Sequence, residues 1–329
     1  MRHIGLKGFV RAAAIGAIAL VAACGGNGTS NSNTANEDKA ADTTVMTSYV
    51  PGTRCLEIDF DIAQMKSYDD YRAFIDSYWD GFDFEAGEAV AAYDFGNICQ
   101  AFVDYVAFIE PSQADSLLRS LMHRAEASRP VLDLFASVSY TVLFDPNSPM
   151  RNDEYYIPIL EVLVKSPLLD EYDRIAPAYD LELARKNRIG NIANDFEYTL
   201  ADGSKHRMHN IEADYLLLMF NNPGCPMCSQ LMADITSSPM LNELQELDRL
   251  EIISIYPDTD IETWRNYQSE MPTGWISGYD PDQIISQERL YKLNAIPALY
   301  LLDADKRVLV KDGSDVRQVE YVIAESDFI

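Results

Sequence analysis

Hydrophobic positions along this chain follow two different periods, and the change falls just after Lys186. From about residue 51 to 186 apolar side chains recur three and four apart. Residues 112–127 carry Leu117, Leu118, Leu121, Met122 and Ala125 on one helical face, with Ser112 placed as a cap after Pro111. The same spacing predicts helices over 68–78, 95–109, 131–143, 153–164 and 170–186, divided by prolines and short polar runs. Together they make a small all-α region. The aromatic run from Tyr78 to Phe84 reads as core packing, and His123, alone among apolar helix positions, reads as a packing histidine.

From Ile189 onward strands alternate with helices. Residues 196–200 and 205–209 flank the turn Ala201-Asp202-Gly203-Ser204 and predict a β-hairpin. The next strand, Tyr215-Leu216-Leu217-Leu218-Met219-Phe220, is apolar without alternation, as a strand buried on both faces would be. Residues 230–247 suit an amphipathic helix broken near Pro239. A strand over 251–256, a helix over 261–270, a short segment around Trp275 and a helix over 281–293 follow. Residues 298–302 and 308–311 form a final strand pair, and Ser314 is placed to cap a closing helix bearing Val316, Val319, Val322 and Ile323. The expected fold is a mixed sheet with helices on both faces, preceded by the helical region.

Between the apolar strand and its following helix stands Cys225-Pro226-Met227-Cys228. A helix start offers unpaired N–H groups and a partial positive charge, which favour a thiolate. Pro226 suits the first helical position, leaving Cys225 as the cap and Cys228 in the first turn, facing back. Cys225 is then the attacking sulfur and Cys228 the resolving one. An inert bridge or half of a zinc site are the other uses of such a pair. Zinc finds little support: in a strand over 205–209, His206 and His209 would point to opposite faces. No metal and no cofactor is expected.

Cys225-Pro226-Met227-Cys228 and Ile296-Pro297, with this order of elements, resemble the thioredoxin superfamily, most closely its membrane-tethered, periplasm-facing members. The resemblance runs from about Asn187 to the C-terminus. It implies a cis bond before Pro297, with Ile296 and Pro297 lying against the cysteines and receiving substrate backbone. The long interval between Cys228 and Pro297 fits the extra strand and helix of the tethered class. There are departures. Gly224 replaces the usual tryptophan, and Met219 and Leu231 stand where a buried or neighbouring acid would serve as proton acceptor, leaving solvent or Asp234 for that task. Met227 brings no charge to the Cys225 thiolate, which favours a reductant or isomerase over a strong oxidant.

The first residues change the picture of location. Basic Arg2, Lys7 and Arg11 precede an apolar run over 12–23 that is short for a membrane span and reads as a signal peptide. Val21-Ala22-Ala23-Cys24 resembles the bacterial lipoprotein signal, which implies lipidation of Cys24; a plain cleaved signal or an uncleaved anchor are the alternatives. The expected organisation is a leader over 1–23, a Gly/Ser/Asn/Thr-rich tether over 24–45, a helical domain over 46–186 and a thioredoxin-like domain over 187–329. The helical domain also resembles an uncharacterised module of envelope lipoproteins. Loss of the leader lowers Lys plus Arg from 26 to 23 against 52 acids, so the net charge moves from −26 to −29, which excludes nucleic-acid partners. Of five cysteines, Cys55 and Cys99 remain; an oxidising compartment allows them to bond, and free thiols are the alternative.

These readings combine into an envelope thiol–disulfide oxidoreductase, lipid-anchored and facing the periplasm, acting on protein or peptide disulfides with an envelope electron donor. Two other functions fit less of the chain. One is a binding or scaffolding lipoprotein with a remnant thioredoxin fold. The other is a peroxiredoxin-like peroxidase, against which Asn222-Pro223-Gly224-Cys225 lacks a threonine shortly before its cysteine.

Overall fold

The computed structural model describes Leu56, residues 67–293 and residues 295–327. The chain divides into two units, residues 1–142 and 143–329. The change of hydrophobic period near residue 187 therefore lies inside the second unit.

The first unit contains helices α1 (Tyr68–Ser77), α2 (Phe95–Phe108), α3 (Ala114–Ala125) and most of α4 (Arg129–Leu143). Ser67 and Asp70 close a capping box on α1, and Asp94 Oδ1 caps α2 by accepting from Asn97 N at 2.8 Å. The aromatic run is core, as its density suggests. Trp79 is fully buried and meets Tyr78, Phe82, Tyr105 and Phe135 edge-on. Two expectations fail here. Helix α3 starts after Gln113 with no side-chain cap, so Ser112 does not serve as one. His123 is 62% exposed and pairs with Glu126 at 2.8 Å, because Leu118, Leu121, Met122 and Ala125 already fill the buried face.

The second unit opens with α5 (Asp153–Leu163) and α6 (Ile175–Ala184). Asn152 caps α5, its Oδ1 accepting from Glu154 N at 3.0 Å. Seven strands follow: β1 (Glu197–Thr199), β2 (Lys205–Arg207), β3 (Tyr215–Phe220), β4 (Leu250–Tyr256), β5 (Ile276–Tyr279), β6 (Ala298–Asp303) and β7 (Val308–Gly313). They form one mixed sheet in the order β2-β1-β5-β4-β3-β6-β7. At its centre β3 runs parallel to β4 and antiparallel to β6. Every residue of β3 is buried, with Leu217 and Met219 in one core and Leu216, Leu218 and Phe220 in the other. This explains its unbroken apolar run.

Helices α7 (Pro226–Ser237), α8 (Pro239–Glu246) and α11 (Val316–Asp327) cover the first of those cores through Leu231, Ile235, Leu241, Val319 and Ile323. Between them in sequence lie α9 (Ile261–Tyr267) and the single turn α10 (Ile284–Gln287). The expected helix over 281–293 shrinks to α10 because Gln283 and Arg289 both adopt left-handed backbone, at φ 54° and 49°, and buried Asp280 caps the turn by accepting from Ile285 N at 2.8 Å. Before α11 the cap is Asp315, whose Oδ1 accepts from Arg317 N at 2.9 Å, and not Ser314.

Candidate redox site

The cysteine pair sits at the C-terminal end of β3, where the chain leaves the sheet and starts α7. Gly224 makes that turn possible. Its φ of +76° lies in the left-handed region that glycine takes freely and that costs an L side chain about 1 kcal/mol. The same fact explains why no tryptophan stands before the first cysteine: the backbone here selects glycine.

Cys225 is the helix cap, with φ −81° and ψ 114°, and Pro226 occupies the first turn. Cys225 Sγ accepts from Cys228 N at 3.2 Å, and Cys225 O accepts from Ser229 N at 3.1 Å. Thus one orphan N–H of the helix start is aimed at the first sulfur and finds its partner there. Cys225 is half-buried, Cys228 is fully buried, and both are free thiols. Burial pushes the Cys228 thiol up to about 12, against a smaller downward pull from the Asn222 backbone. Cys228 therefore keeps its proton at neutral pH.

Across from the pair, the Ile296–Pro297 peptide is cis, and Ile296 O lies 3.8 Å from Cys225 Sγ. The structure thus brings Cys225, Cys228, Ile296 and Pro297 to one place. Cys24 and the proposed Cys55 partner of Cys99 lie outside the described residues; among these, burial raises the Cys99 thiol to about 11.

Several polar neighbours of the pair were not visible as site residues in the sequence. Tyr267, buried at the end of α9, packs into the same core as Cys228, and burial raises its hydroxyl pKa. On the sheet, Asn221 Nδ2 donates to Ser254 Oγ at 3.1 Å and lies 3.9 Å from Met271 Sδ, while Asn221 Oδ1 has no partner among the described residues. Ser254 was the available signal, a small hydroxyl among the isoleucines of β4. Met219 and Leu231 are buried apolar residues, so neither acid position of the tethered class is filled. Asp234 does not substitute: exposed on α7, it accepts from Gln230 Nε2 at 2.8 Å. His206 and His209 part company, His206 bonding Ser204 Oγ at 3.0 Å and His209 meeting Ala193 O at 2.9 Å. Among the described residues no group of three His, Cys, Asp or Glu could hold a metal.

Residues 213–308 match a family model described as thioredoxin-like, and residues 23–187 match a domain of unknown function, DUF5106. The crystal structure of a thioredoxin-like protein from Bacteroides caccae is 35% identical, with a TM-score of 0.76, covering 82% of this chain and 99% of that one. Nucleoredoxin from Danio rerio is 28% identical over 104 residues, 31% of this chain and 24% of its own length; human nucleoredoxin is 26% identical over 113 residues, 34% and 26% of the two lengths. The chain thus spans about a quarter of each nucleoredoxin. The chain belongs to the thioredoxin-like family, with a DUF5106 domain ahead of its redox fold.

Proposed function

We propose that this protein is a thiol–disulfide oxidoreductase that reduces or rearranges disulfides of exported proteins or peptides, using Cys225 and Cys228. The observation that carries the reading is Cys225 Sγ at a helix start, 3.2 Å from Cys228 N and 3.8 Å from the carbonyl before a cis proline. The Cys225 thiolate attacks one sulfur of the substrate disulfide, forming a mixed disulfide and releasing the other sulfur as a thiolate that takes up a proton. Cys228 then gives its proton to solvent and attacks Cys225 Sγ. The second substrate thiol leaves, the substrate has gained two electrons, and Cys225–Cys228 is a disulfide. An envelope donor must return the pair to dithiol.

Reduction of a fluorescent peptide disulfide by the purified chain tests this. Turnover should disappear with Cys225→Ser; a variant that still turns over at the wild-type rate sinks the assignment. The N-terminal pattern around Cys24 supports a lipid-anchored, periplasm-facing location, tested by palmitate labelling that Cys24→Ala should abolish. The scaffold reading draws on one observation, the lack of an acid beside buried Cys228. It would gain if the reduced protein resisted alkylation at Cys225.

A further inference from the structure

The segment that leads into Ile296-Pro297 is fixed by three consecutive residues, and each of them bonds a residue that precedes β1 in the chain. Leu290 O accepts from Asn187 Nδ2 at 2.8 Å and from Asn194 Nδ2 at 2.7 Å. Tyr291 donates its hydroxyl to Asn194 O at 2.7 Å, with its ring packed against Phe196, Phe220 and Tyr300. Lys292, whose side chain is 2% exposed, donates to Asp153 Oδ1 at 2.9 Å, lies 3.6 Å from Asp312 Oδ2 and stands 3.9 Å over the Phe144 ring.

Asp153 does double work. Its side chain is 5% exposed, and its second oxygen lies 2.7 Å from Lys311 Nζ, itself 5% exposed. Arg151 completes the set by donating to Asp312 O at 2.9 Å. Asp180 on α6 feels both Lys292 and Asp153. Three cations therefore meet the carboxylates of Asp153 and Asp312, and Asp153 at the start of α5 is the one paired with both lysines.

Such a network is a poor source of net stability, because desolvation of each charge offsets most of the attraction. What it does supply is one permitted geometry. An apolar peg can slide among neighbouring contacts, whereas a buried ammonium between two carboxylates and a ring has few positions that satisfy it. On the far side of the loop, Ala298 is locked into β6 by its pairing with Phe220 of β3. Leu293 and residues 295–297 thus lie between two fixed ends, and the Ile296 carbonyl that faces Cys225 is among them.

We infer that Asp153, acting through Lys292, is a positioning residue for the redox site: it sets where the loop bearing Ile296 and Pro297 stands relative to Cys225. Both Asp153 and Asn187 fall inside residues 23–187, so the end of the DUF5106 match is part of the redox machinery. This rests on the oxidoreductase reading above, and on the loop receiving substrate.

The test is steady-state kinetics of the full chain on a fluorescent peptide disulfide. Lys292→Met keeps the aliphatic stem and leaves Lys311 on Asp153 and Arg151 on Asp312, so each remaining charge keeps a partner. It should raise KM roughly tenfold, since sub-ångström misplacement of a docking group acts on that scale, with kcat and the rate of Cys225 alkylation within about twofold of wild type. Asp153→Asn should move KM in the same direction. If Lys292→Met loses cooperative unfolding, Asn194→Ala takes its place, removing one of the two side-chain donors to the Leu290 carbonyl without touching a charge, with KM expected to rise about threefold. A folded Lys292→Met or Asn194→Ala protein with wild-type KM overturns the inference. Wild-type protein without turnover would instead sink the oxidoreductase reading, and the two failures are distinct.

Discussion

Two polar places are buried in the second unit, and they are built on opposite plans. Around Cys228 there is no carboxylate contributing to its high pKa; burial dominates, and the polar company is backbone and the Cys225 sulfur. Around Lys292 the charges crowd together, Lys292, Lys311 and Arg151 against Asp153 and Asp312. A reactive sulfur has to change its charge during turnover, so a fixed neighbouring charge would favour one redox state over the other. A positioning element must not change at all, and paired charges hold it. The protein thus keeps paired charge at Lys292 and leaves the cysteine pair to hydrogen bonds and burial.

That contrast can be broken in four places. The largest effect belongs to Cys228→Ser, which should cut multiple turnover about a thousandfold and accumulate the mixed disulfide on Cys225. In the wild type, decay of that species followed by stopped flow should quicken about tenfold per pH unit between roughly pH 6 and 9, because a thiol near 12 gains thiolate at that rate. A rate flat with pH would mean an acceptor other than solvent serves Cys228.

Next comes the ionic site. Asp153→Ala leaves two buried ammonium groups short of a counter-charge, and thermal or denaturant unfolding should show a loss of about 3–5 kcal/mol. A loss below about 1 kcal/mol would mean that water reaches Lys292 and Lys311 freely.

A smaller change would import the charged plan into the sulfur site. Leu231→Glu sets a carboxylate on the helix bearing Cys228, and resolution at pH 7 should rise about tenfold, with a shallower pH slope. An unchanged slope would show that the acid does not reach the sulfur.

The smallest effect is at Asp180. Burial raises its carboxyl to about 6 against a weaker downward pull from Lys292. The folded state then binds the proton more tightly than the unfolded chain does. The stability this group contributes is present at low pH and is lost as pH rises from about 4 through 6. Asp180→Asn should flatten that part of the stability curve and raise Tm at pH 7 by about 2 °C or less, given the group's partial exposure.

The fold was most legible where local pattern and burial agree. Strand β3 announced itself through six apolar residues, α7 through Pro226, and the cysteine cap through the chemistry of a helix start. The Ile296–Pro297 cis bond came from the resemblance, not from the residues. What stayed hidden depends on partners distant in the chain. Asp153 meets Lys292 across 139 positions, and no periodicity marks such a pair. Helix 281–293 looked continuous because nothing in Gln283 or Arg289 advertises a left-handed backbone; Asp280 capping the turn decided it. The caps at Ser112 and Ser314 were misplaced by a residue or two, the scale on which helix ends are set by local geometry. Tyr267 packs into the core that holds Cys228 from α9, a helix far along the chain whose path no local pattern marks.

Met227, between the two cysteines in sequence, is 66% exposed. Its thioether is soft and adaptable, a surface that accommodates many unfolded shapes and prefers none. It is also oxidisable. Converting it to a sulfoxide would set a polar, chiral group on the surface between the two cysteines in sequence, a change that a methionine sulfoxide reductase would reverse and that is separate from oxidation of the thiols themselves.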